Sequence, residues 1–193
     1  MIGNDIIDLS LAGRESNWER KGFLEKVFSR EEQVMVLTAQ NSGQMVWLLW
    51  SFKEAAYKAH QRLYGHPPIL NWLRQKCKLT SLTKFSASGE VNINGKNYFT
   101  SSLITSEYIH TTAAKDNKTP LQNVLFEGPS EGAKKQLLKQ ISDHFSVHYS
   151  KLSFHSNKLG IPYIQYKNKS FFTDFSFSDH GRYSGFSVSL RIS

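Results

Sequence analysis

The strongest constraint on the fold is a long helix with one continuous apolar face, predicted in the first third of the chain. Apolar residues recur there at intervals of four, three, four and three positions, which keeps their side chains on one face of an α-helix. The stripe consists of Met45, Leu49, Phe52, Ala56 and Ala59. We predict that this helix follows a break at Asn41–Gly43 and runs to about residue 64. A helix with such a face must bury it against a second layer of structure.

The opposite face of this helix carries a different pattern. Trp50, Glu54 and Lys58 are four residues apart, which puts an aromatic ring, a carboxylate and an ammonium group in line. A Glu and a Lys at this spacing are also common as a solvated ion pair, so the pattern alone does not require a site. Lys53 lies about 100° around the helix from Glu54 and points away from this face, so it ranks below Lys58 as a site residue.

A second acidic segment lies near the N-terminus. Gly3 to Leu9 has the bulk of a short buried strand, but Asp5 interrupts its apolar run. A carboxylate in a buried strand is costly unless it is paired or binds a metal. Alternatively, Asp5 or Asp8 caps a following helix, which is a common role for Asp. Asp5 and Glu54 together would suit Mg²⁺, which usually takes one or two protein carboxylates besides waters and phosphate oxygens.

The net charge of +8 favours an anionic partner such as a nucleic acid, an anionic membrane, a phosphate group or an acidic protein. The lysines are scattered and no DNA-reading motif is present, which argues against nucleic acid. With 193 residues, the chain can form one domain or two small related halves. Cys77 is the only cysteine, so we expect neither a disulfide nor a cysteine metal site. No run has the length of a transmembrane helix and no leader is apparent, so we expect a cytoplasmic protein without a membrane partner.

Further helices and strands are predicted around these segments. We predict helices at roughly 15–28 and 30–40, followed after the long helix by strands that include a hairpin turn at Asn94-Gly95. Residues 114–121 are polar and contain a proline, which is typical of a linker. A helix at roughly 130–147 opens the second half.

The end of the chain is predicted to form a hairpin with alternating polar and apolar side chains. Thr173, Phe175 and Phe177 face one way in this pattern. The intervening polar residues are Asp174, Ser176 and Ser178. Such alternation is most often explained by an antiparallel sheet with one solvated face.

Three segments within the first sixty residues resemble the 4'-phosphopantetheinyl transferase superfamily and occur in that family's order. Gly3-Asn4-Asp5-Ile6 resembles its Gly-x-Asp-Ile motif, and Trp50 to Lys58 resembles its Trp-x-x-Lys-Glu-x-x-x-Lys motif. Between them, Gly22 to Glu32 is similar to the joining segment of the holo-acyl-carrier-protein synthase branch, and Ser29 and Glu32 also form the pattern of a capping box. Three short motifs in register are far more specific than any one of them.

The second half is similar to the amino-terminal lobe of the two-lobed, surfactin-synthetase-activating type. The matching segments are Ala133–Leu138, Gly160-Ile161-Pro162 and Ser176–Gly181. Ile161 stands where that family has Lys, and Asp179 stands where it has His, with His180 one place later. The lobe order is reversed, as in a circular permutation. The resemblance implies an α+β fold of two pseudo-symmetric lobes, residues 1–115 and 116–193, each a long helix packed on a small antiparallel sheet.

The resemblance also implies a reaction, the Mg²⁺-dependent transfer of 4'-phosphopantetheine from coenzyme A to a serine of an acyl or peptidyl carrier protein. The resemblance is to enzymes that include the holo-acyl-carrier-protein synthases. It implies that Asp5 and Glu54 of this chain hold Mg²⁺. Glu54 would take the proton of the incoming serine, and Lys58 would bind a phosphate oxygen. Asp8 matches an acidic position with a less direct metal role. Coenzyme A is polyanionic and carrier proteins are typically acidic, which agrees with the basic chain.

Contacts to coenzyme A are implied for the second lobe. Lys134 or Lys135 would bind the 3'-phosphate, and the segment of Gly160 and Pro162 would lie near the adenine. The phosphates would be contacted by Ser178 and His180. A two-lobed chain can build its site alone, which favours a monomer over the homotrimer that a single lobe would require. Two alternatives remain open, namely a catalytically impaired binding protein of the same fold, indicated by the altered Asp-His loop, and a basic nucleic-acid-associated domain, indicated only by charge.

Overall fold

The computed structural model of the protein describes residues 1–65, 71–116, 118, 120–171 and 173–190. In chain order the first part contains β1 (Ile2–Asp8), α1 (Leu9–Glu15), α2 (Phe23–Val27), α3 (Arg30–Thr38), α4 (Ser42–Tyr64), β2 (Gln75–Leu82), β3 (Ser86–Ile93), β4 (Lys96–Ile104) and β5 (Tyr108–Ala114). The second part contains β6 (Gln122–Glu127), α5 (Ser130–Phe145), β7 (Leu152–Ser156), β8 (Pro162–Tyr166), β9 (Lys169–Phe171), β10 (Asp174–His180) and β11 (Tyr183–Ser189). No helix in these described ranges is both long and apolar enough to cross a membrane.

The predicted long helix and the α+β class are confirmed. Helix α4 has 23 residues, begins where the Asn41 side chain accepts a hydrogen bond from the Gln44 amide at 2.9 Å, and ends at Gly65 in the left-handed conformation. Its predicted apolar stripe is buried against a five-stranded antiparallel sheet with the strand order β1-β5-β4-β3-β2. The predicted boundary at residues 115 and 116 lies between β5 and β6, and positions 117 and 119 of the predicted linker lie outside the described residues.

Strand β1 lies directly against α4 because Gly3 has no side chain. A Cβ atom at Gly3 would overlap the carbonyl oxygen of Ala55 and lie 2.6 Å from the backbone nitrogen of Ala59. Both atoms belong to the helix backbone, which cannot move aside cheaply. Close packing at this point sets the separation between the side chains of β1 and those of α4.

The second half repeats this plan at a smaller scale. Helix α5 buries Ala133, Leu137 and Ile141 in a second core, beside a sheet with the order β10-β11-β6. In each half the first strand pairs with the last strand, which pairs in turn with the strand before it. A separate three-stranded sheet, β7-β8-β9, completes the second half.

The two halves meet along β1 and β10, through side chains rather than a backbone ladder. The amide of Ile2 donates to Asp174 Oδ1 at 3.2 Å, and the amide of Asn4 donates to Ser176 Oγ at 2.9 Å. The side-chain amide of Asn4 donates to Ser178 Oγ at 2.9 Å. We call this contact the seam. It shows that the expectation of a solvated polar face was wrong, because Ser176 and Ser178 are 1% and 5% exposed. Strand β1 is an edge strand, so its outward N–H groups need such partners.

The helix predicted at 15–28 was also wrong over most of its length. Apart from Glu15, the last residue of α1, only Phe23–Val27 is helical there, and Gly22 adopts a left-handed conformation with φ = 82° immediately before α2. The structure instead forms α1 directly after β1, where Asp8 Oδ1 accepts hydrogen bonds from the amides of Ser10 and Leu11. The cap interpretation was therefore correct for Asp8. The helix predicted at 30–40 is present as α3, and its predicted capping box is formed.

Candidate active site

The line of side chains on α4 faces a cavity between the two halves. This cavity of about 350 Å³ is lined by Asp5, Glu54 and Lys58 from the first half, and by Asp179 and His180 from the second. We call it the carboxylate cavity. The structure thus brings together four residues that the sequence predicted for the site and adds Asp179 to them.

Burial makes the Glu54 carboxylate chemically unusual. Its removal from water, helped by the negative charge of Asp5 and opposed by Lys58, raises the pKa of Glu54 from 4.5 to about 7. The ion pair of Lys58 is with Asp5 rather than with Glu54, since its Nζ atom lies 3.1 Å from Asp5 Oδ1. Glu54 makes no hydrogen bond to any residue that the structure describes. A carboxylate with this pKa can accept or release a proton near neutral pH.

The same carboxylates fit a hard cation. Asp5 and Glu54 face one cavity, and a buried carboxylate beside a second one is stabilised by a positive charge between them. Within the described residues, no group of three or more His, Cys, Asp or Glu side chains is arranged to hold a metal. Magnesium does not need such a group, because it usually combines one or two carboxylates with waters and phosphate oxygens.

Aromatic rings form the wall of the cavity beyond Glu54. The ring of Trp50 lies 4.1 Å from that of Trp72 and stacks at 6.3 Å with Phe23. Trp47 meets Trp50 edge-on at 6.2 Å. Trp47 and Trp50 line the cavity together with Glu54, and Phe23 and Trp72 pack against Trp50.

The hairpin turn between β10 and β11 carries His180 to the cavity. Its Nδ1 atom accepts a hydrogen bond from the amide of Asp8 at 2.9 Å, and its Nε2 atom lies 3.5 Å from Glu15 Oε2. Because Nδ1 is an acceptor, the neutral ring keeps this bond only with its proton on Nε2. Asp179, the neighbouring residue, is exposed and lines the same cavity.

Asp8 secures this turn rather than lining the cavity. Its Oδ2 atom accepts hydrogen bonds from Arg182 Nε at 3.0 Å and from the Arg182 amide at 3.2 Å. The hydrogen bond from the Arg182 side chain is the main reason why the pKa of Asp8 falls from 3.8 to about 2, and burial opposes it. Gly181, between His180 and Arg182, has φ = 58°, and a Cβ there would lie 2.7 Å from Asp8 Oδ2. The turn therefore needs its glycine.

The other residues predicted to contact coenzyme A lie outside the carboxylate cavity. Ser178 is buried in the seam. Lys134 Nζ lies 3.6 Å from Glu131 Oε1 and 5.7 Å from the centres of two phenylalanine rings, and Lys135 is exposed on α5. Neither lysine lines the carboxylate cavity or a second cavity at Pro162.

Pro162 lines a second cavity of about 380 Å³, and Gly160 forms the preceding turn with φ = 74°. The wall of this cavity also includes Arg62, whose Nη1 atom donates to the Pro162 carbonyl oxygen at 3.2 Å. We call it the Arg62 cavity. Sequence reasoning did not find Arg62, although its position four residues after Lys58 continues the line of site residues on α4.

Lys53, which was predicted to point away from the site, has a structural role. Its ammonium group is fully buried and lies 2.7 Å from Glu32 Oε2 and 2.7 Å from the Val27 carbonyl oxygen. The Trp72 carbonyl oxygen is a third acceptor at 3.1 Å. These contacts tie α4 to α2, α3 and the aromatic wall behind the cavity.

One comparison with known proteins gives a match. A family model described as the 4'-phosphopantetheinyl transferase superfamily matches residues 1–113 of the 193 in the chain. The matched region runs from β1 to the penultimate residue of β5 and contains Asp5, Glu54 and Lys58. A search of curated proteins finds no match to this chain.

Proposed function

The chain belongs to the 4'-phosphopantetheinyl transferase superfamily, and we propose that it moves 4'-phosphopantetheine from coenzyme A to a serine of an acyl or peptidyl carrier protein. The observation that carries this proposal is the meeting of Asp5, Glu54 and Lys58 in one cavity whose opposite wall comes from the second half. In the reaction, the serine oxygen would form a bond to the phosphorus of the pantetheine phosphate. The bond from that phosphorus to the bridging oxygen would break and release adenosine 3',5'-bisphosphate.

Glu54 is the proposed general base. Burial raises the pKa of Glu54 to about 7 in the cavity without a cation, which makes its carboxylate a better proton acceptor than an exposed one. Mg²⁺ bound to the same carboxylate would lower this pKa. Glu54 would take the proton of the serine hydroxyl directly or through one water molecule. The burial that raises its pKa also keeps bulk water from competing with the serine for the phosphorus.

Charge neutralisation would come from Lys58 and from Mg²⁺. Lys58 is 29% exposed at its side chain, so its ammonium group can reach a diphosphate oxygen from its place beside Asp5. Asp5 and Glu54 would hold Mg²⁺, which supplies positive charge to the leaving diphosphate linkage when bound. Most of the catalytic effect would then come from positioning and electrostatics, as is usual for transfer at phosphorus.

We propose that residues 1–115 form the metal-binding lobe and residues 116–193 the lobe that contacts coenzyme A. Both walls of the carboxylate cavity come from one chain, which supports a monomer. His180 would contact a phosphate through Nε2, since its Nδ1 atom already accepts a hydrogen bond from the backbone amide of Asp8. Gly160 and Pro162 would lie near the adenine, at the Arg62 cavity.

The test uses purified protein, coenzyme A, Mg²⁺ and an apo carrier protein. Mass spectrometry of the carrier should show a gain of one phosphopantetheine group, together with loss of free coenzyme A. Replacing Glu54 with Gln should slow this transfer by about a hundred- to ten-thousandfold, the usual effect of removing a general base. Glu19, which is exposed and does not line the cavity, gives the control Glu19→Gln, which should transfer normally.

Binding of coenzyme A without any transfer to acyl or peptidyl carriers would overturn the proposal in favour of an impaired binding protein. Near-normal transfer by the Glu54→Gln variant would leave the fold assignment intact but remove Glu54 from the role of base.

A further inference from the structure

Strands β1 and β10 meet at the seam in a parallel register, with side chains of β10 as the acceptors. Three backbone amides of β1 donate across the seam, namely Ile2 to Asp174, Asn4 to Ser176 and Asp8 to His180. The partners in all three hydrogen bonds are 172 positions apart, so a step of two residues on β1 matches a step of two on β10. His180 is the partner nearest the hairpin turn and lines the carboxylate cavity.

The side chain of Asn4 adds a second kind of contact to this register. Its Nδ2 atom donates to Ser178 Oγ of β10 at 2.9 Å and to the Gly185 carbonyl oxygen of β11 at 3.2 Å. Ser178 and Gly185 are directly opposite each other in the antiparallel pair of β10 and β11. One amide group therefore holds both strands of the hairpin at the same level, two residues before His180. We call this contact the Asn4 clamp.

The first half of the chain supports the Asn4 clamp through His110 of β5. The His110 Nε2 atom lies 3.4 Å from Asn4 Nδ2. Burial, with a smaller effect from the positive charge of Lys58, lowers the pKa of His110 to about 4, so its ring is neutral near pH 7 and Nε2 can accept a hydrogen bond. The two N–H groups of the amide are thus shared among acceptors on three other strands, β5, β10 and β11.

One feature of Asn4 is unfavourable for stability. The residue is fully buried, and its Oδ1 atom has no hydrogen-bond partner among the residues that the structure describes. A buried carbonyl oxygen without a partner costs free energy, and a leucine of similar shape would avoid that cost. Leucine would lack the bonds to Ser178 and Gly185. These bonds are what the amide contributes, and they lie directly before the turn that carries His180.

We infer that Asn4 is a positioning residue, which clamps the hairpin of β10 and β11 onto β1 beside Asp5 and thereby holds His180 in the carboxylate cavity. This inference rests on the proposed function, because it concerns the geometry in which that transfer takes place. Asp5 and His180 belong to different halves of the chain, so their separation depends on how firmly the halves are joined. A misplacement of about 1 Å in a site can slow a reaction about a hundredfold.

The variant Asn4→Leu tests the clamp, because leucine has nearly the shape of asparagine but no hydrogen-bond donor in its side chain. Its kcat for transfer should fall about ten- to a hundredfold. The KM for the carrier protein should stay within about twofold of wild type, since Asn4 is buried and cannot touch the carrier. Ser187→Ala is the matched control. It removes a buried hydroxyl group of β11 that has no partner within the described residues, and it should transfer normally.

Hydrogen exchange measured by mass spectrometry gives a second readout, which does not depend on transfer. In Asn4→Leu the end of the hairpin, residues 179–184, should exchange about tenfold faster than in wild type, because a hydrogen bond that closes it is lost. Helix α3, which packs on α4 and α2, should exchange as in wild type. A general loss of stability would instead accelerate exchange in both segments.

Ser178→Ala removes a partner of the same bond, and it serves if Asn4→Leu does not fold. It should lower kcat in the same direction, and the losses should not add in the double variant, because both substitutions remove one contact. Fully additive losses, unchanged kcat and exchange in Asn4→Leu, or equally faster exchange in the hairpin and α3 would overturn the inference. If the wild-type protein does not transfer, the proposed function fails, and exchange in the hairpin alone then decides whether Asn4 clamps it.

Discussion

Replacing Lys53 with Met tests the buried ion pair that supports the site from behind. The ammonium group and the Glu32 carboxylate are both shielded from water, with side-chain exposures of 0% and 1%. Met matches the length of the Lys stem but leaves the Glu32 charge without its counter-ion. Removing one partner of a buried pair typically costs about 3–5 kcal/mol.

The structure places the expected loss near the lower end of that range. Glu32 keeps two backbone donors after the substitution, the Ser29 amide at 2.8 Å and the Cys77 amide at 2.7 Å. We therefore expect Lys53→Met to lose about 3 kcal/mol of unfolding free energy, which lowers the urea midpoint by about 1.5 M for a slope of ~2 kcal/mol/M. Urea unfolding followed by tryptophan fluorescence and circular dichroism measures this loss.

Two variants serve as controls for this prediction. Lys58→Met removes a partly exposed ion pair, so it should cost less than about 1 kcal/mol. Glu32→Gln combined with Lys53→Met removes both charges but turns the Gln NH₂ group towards the N–H of Ser29 or Cys77, so it should recover only part of the stability that Lys53→Met loses. If Lys53→Met and Lys58→Met destabilise the protein equally, the role assigned to Lys53 is refuted.

Three further predictions concern pH and packing. The pKa of Glu54 is raised from 4.5 to about 7, so its burial destabilises the fold increasingly as pH rises from 4.5 to 7. The free energy of unfolding of Glu54→Gln should therefore exceed that of wild type by up to about 3 kcal/mol at pH 8 and equal it at pH 4. Urea unfolding at the two pH values measures this difference. The pKa of Asp8 is lowered from 3.8 to about 2, so its contribution to the stability of the fold is complete above pH 4 and is lost as pH falls towards 2. Between these pH values, the melting temperature of Arg182→Met should fall less than that of wild type. Gly3→Ala should prevent correct folding, because its Cβ would overlap the α4 backbone, whereas Gly13→Ala has open space around its Cβ in α1 and should slightly raise the melting temperature. A soluble, normally melting Gly3→Ala protein would contradict the close approach.

Local patterns predicted the parts of the protein that depend on neighbouring residues in the chain. The stripe on α4 follows from a period that only a helix satisfies, and the same period places Glu54 and Lys58 together. The resemblance of Gly3–Ile6 to the family's Gly-x-Asp-Ile motif then implied that Asp5 joins them. Lys53 could be set aside for the same geometric reason, although its buried partner Glu32 was not predicted.

The parts that were not predicted depend on partners far along the chain. Helix α1 is capped by Asp8, whose side chain is bound by Arg182 from the far end of the chain. An alternating polar strand looks the same whether it faces water or the edge of another sheet, so Ser176 gave no sign of burial. Arg62 resembles an ordinary cation near a helix end until Pro162 is placed beside it.

The seam also affects how the protein can associate with itself. Strand β1 is covered along its outer edge by side chains of β10, including Asp174, Ser176 and His180. An uncovered edge of buried, apolar composition is a template onto which another chain can add a strand. A fragment that ends after β5 would display this edge, and so would a nascent chain whose second half has not yet folded. The second half thus protects this edge against aggregation, and its loss should appear as poor solubility.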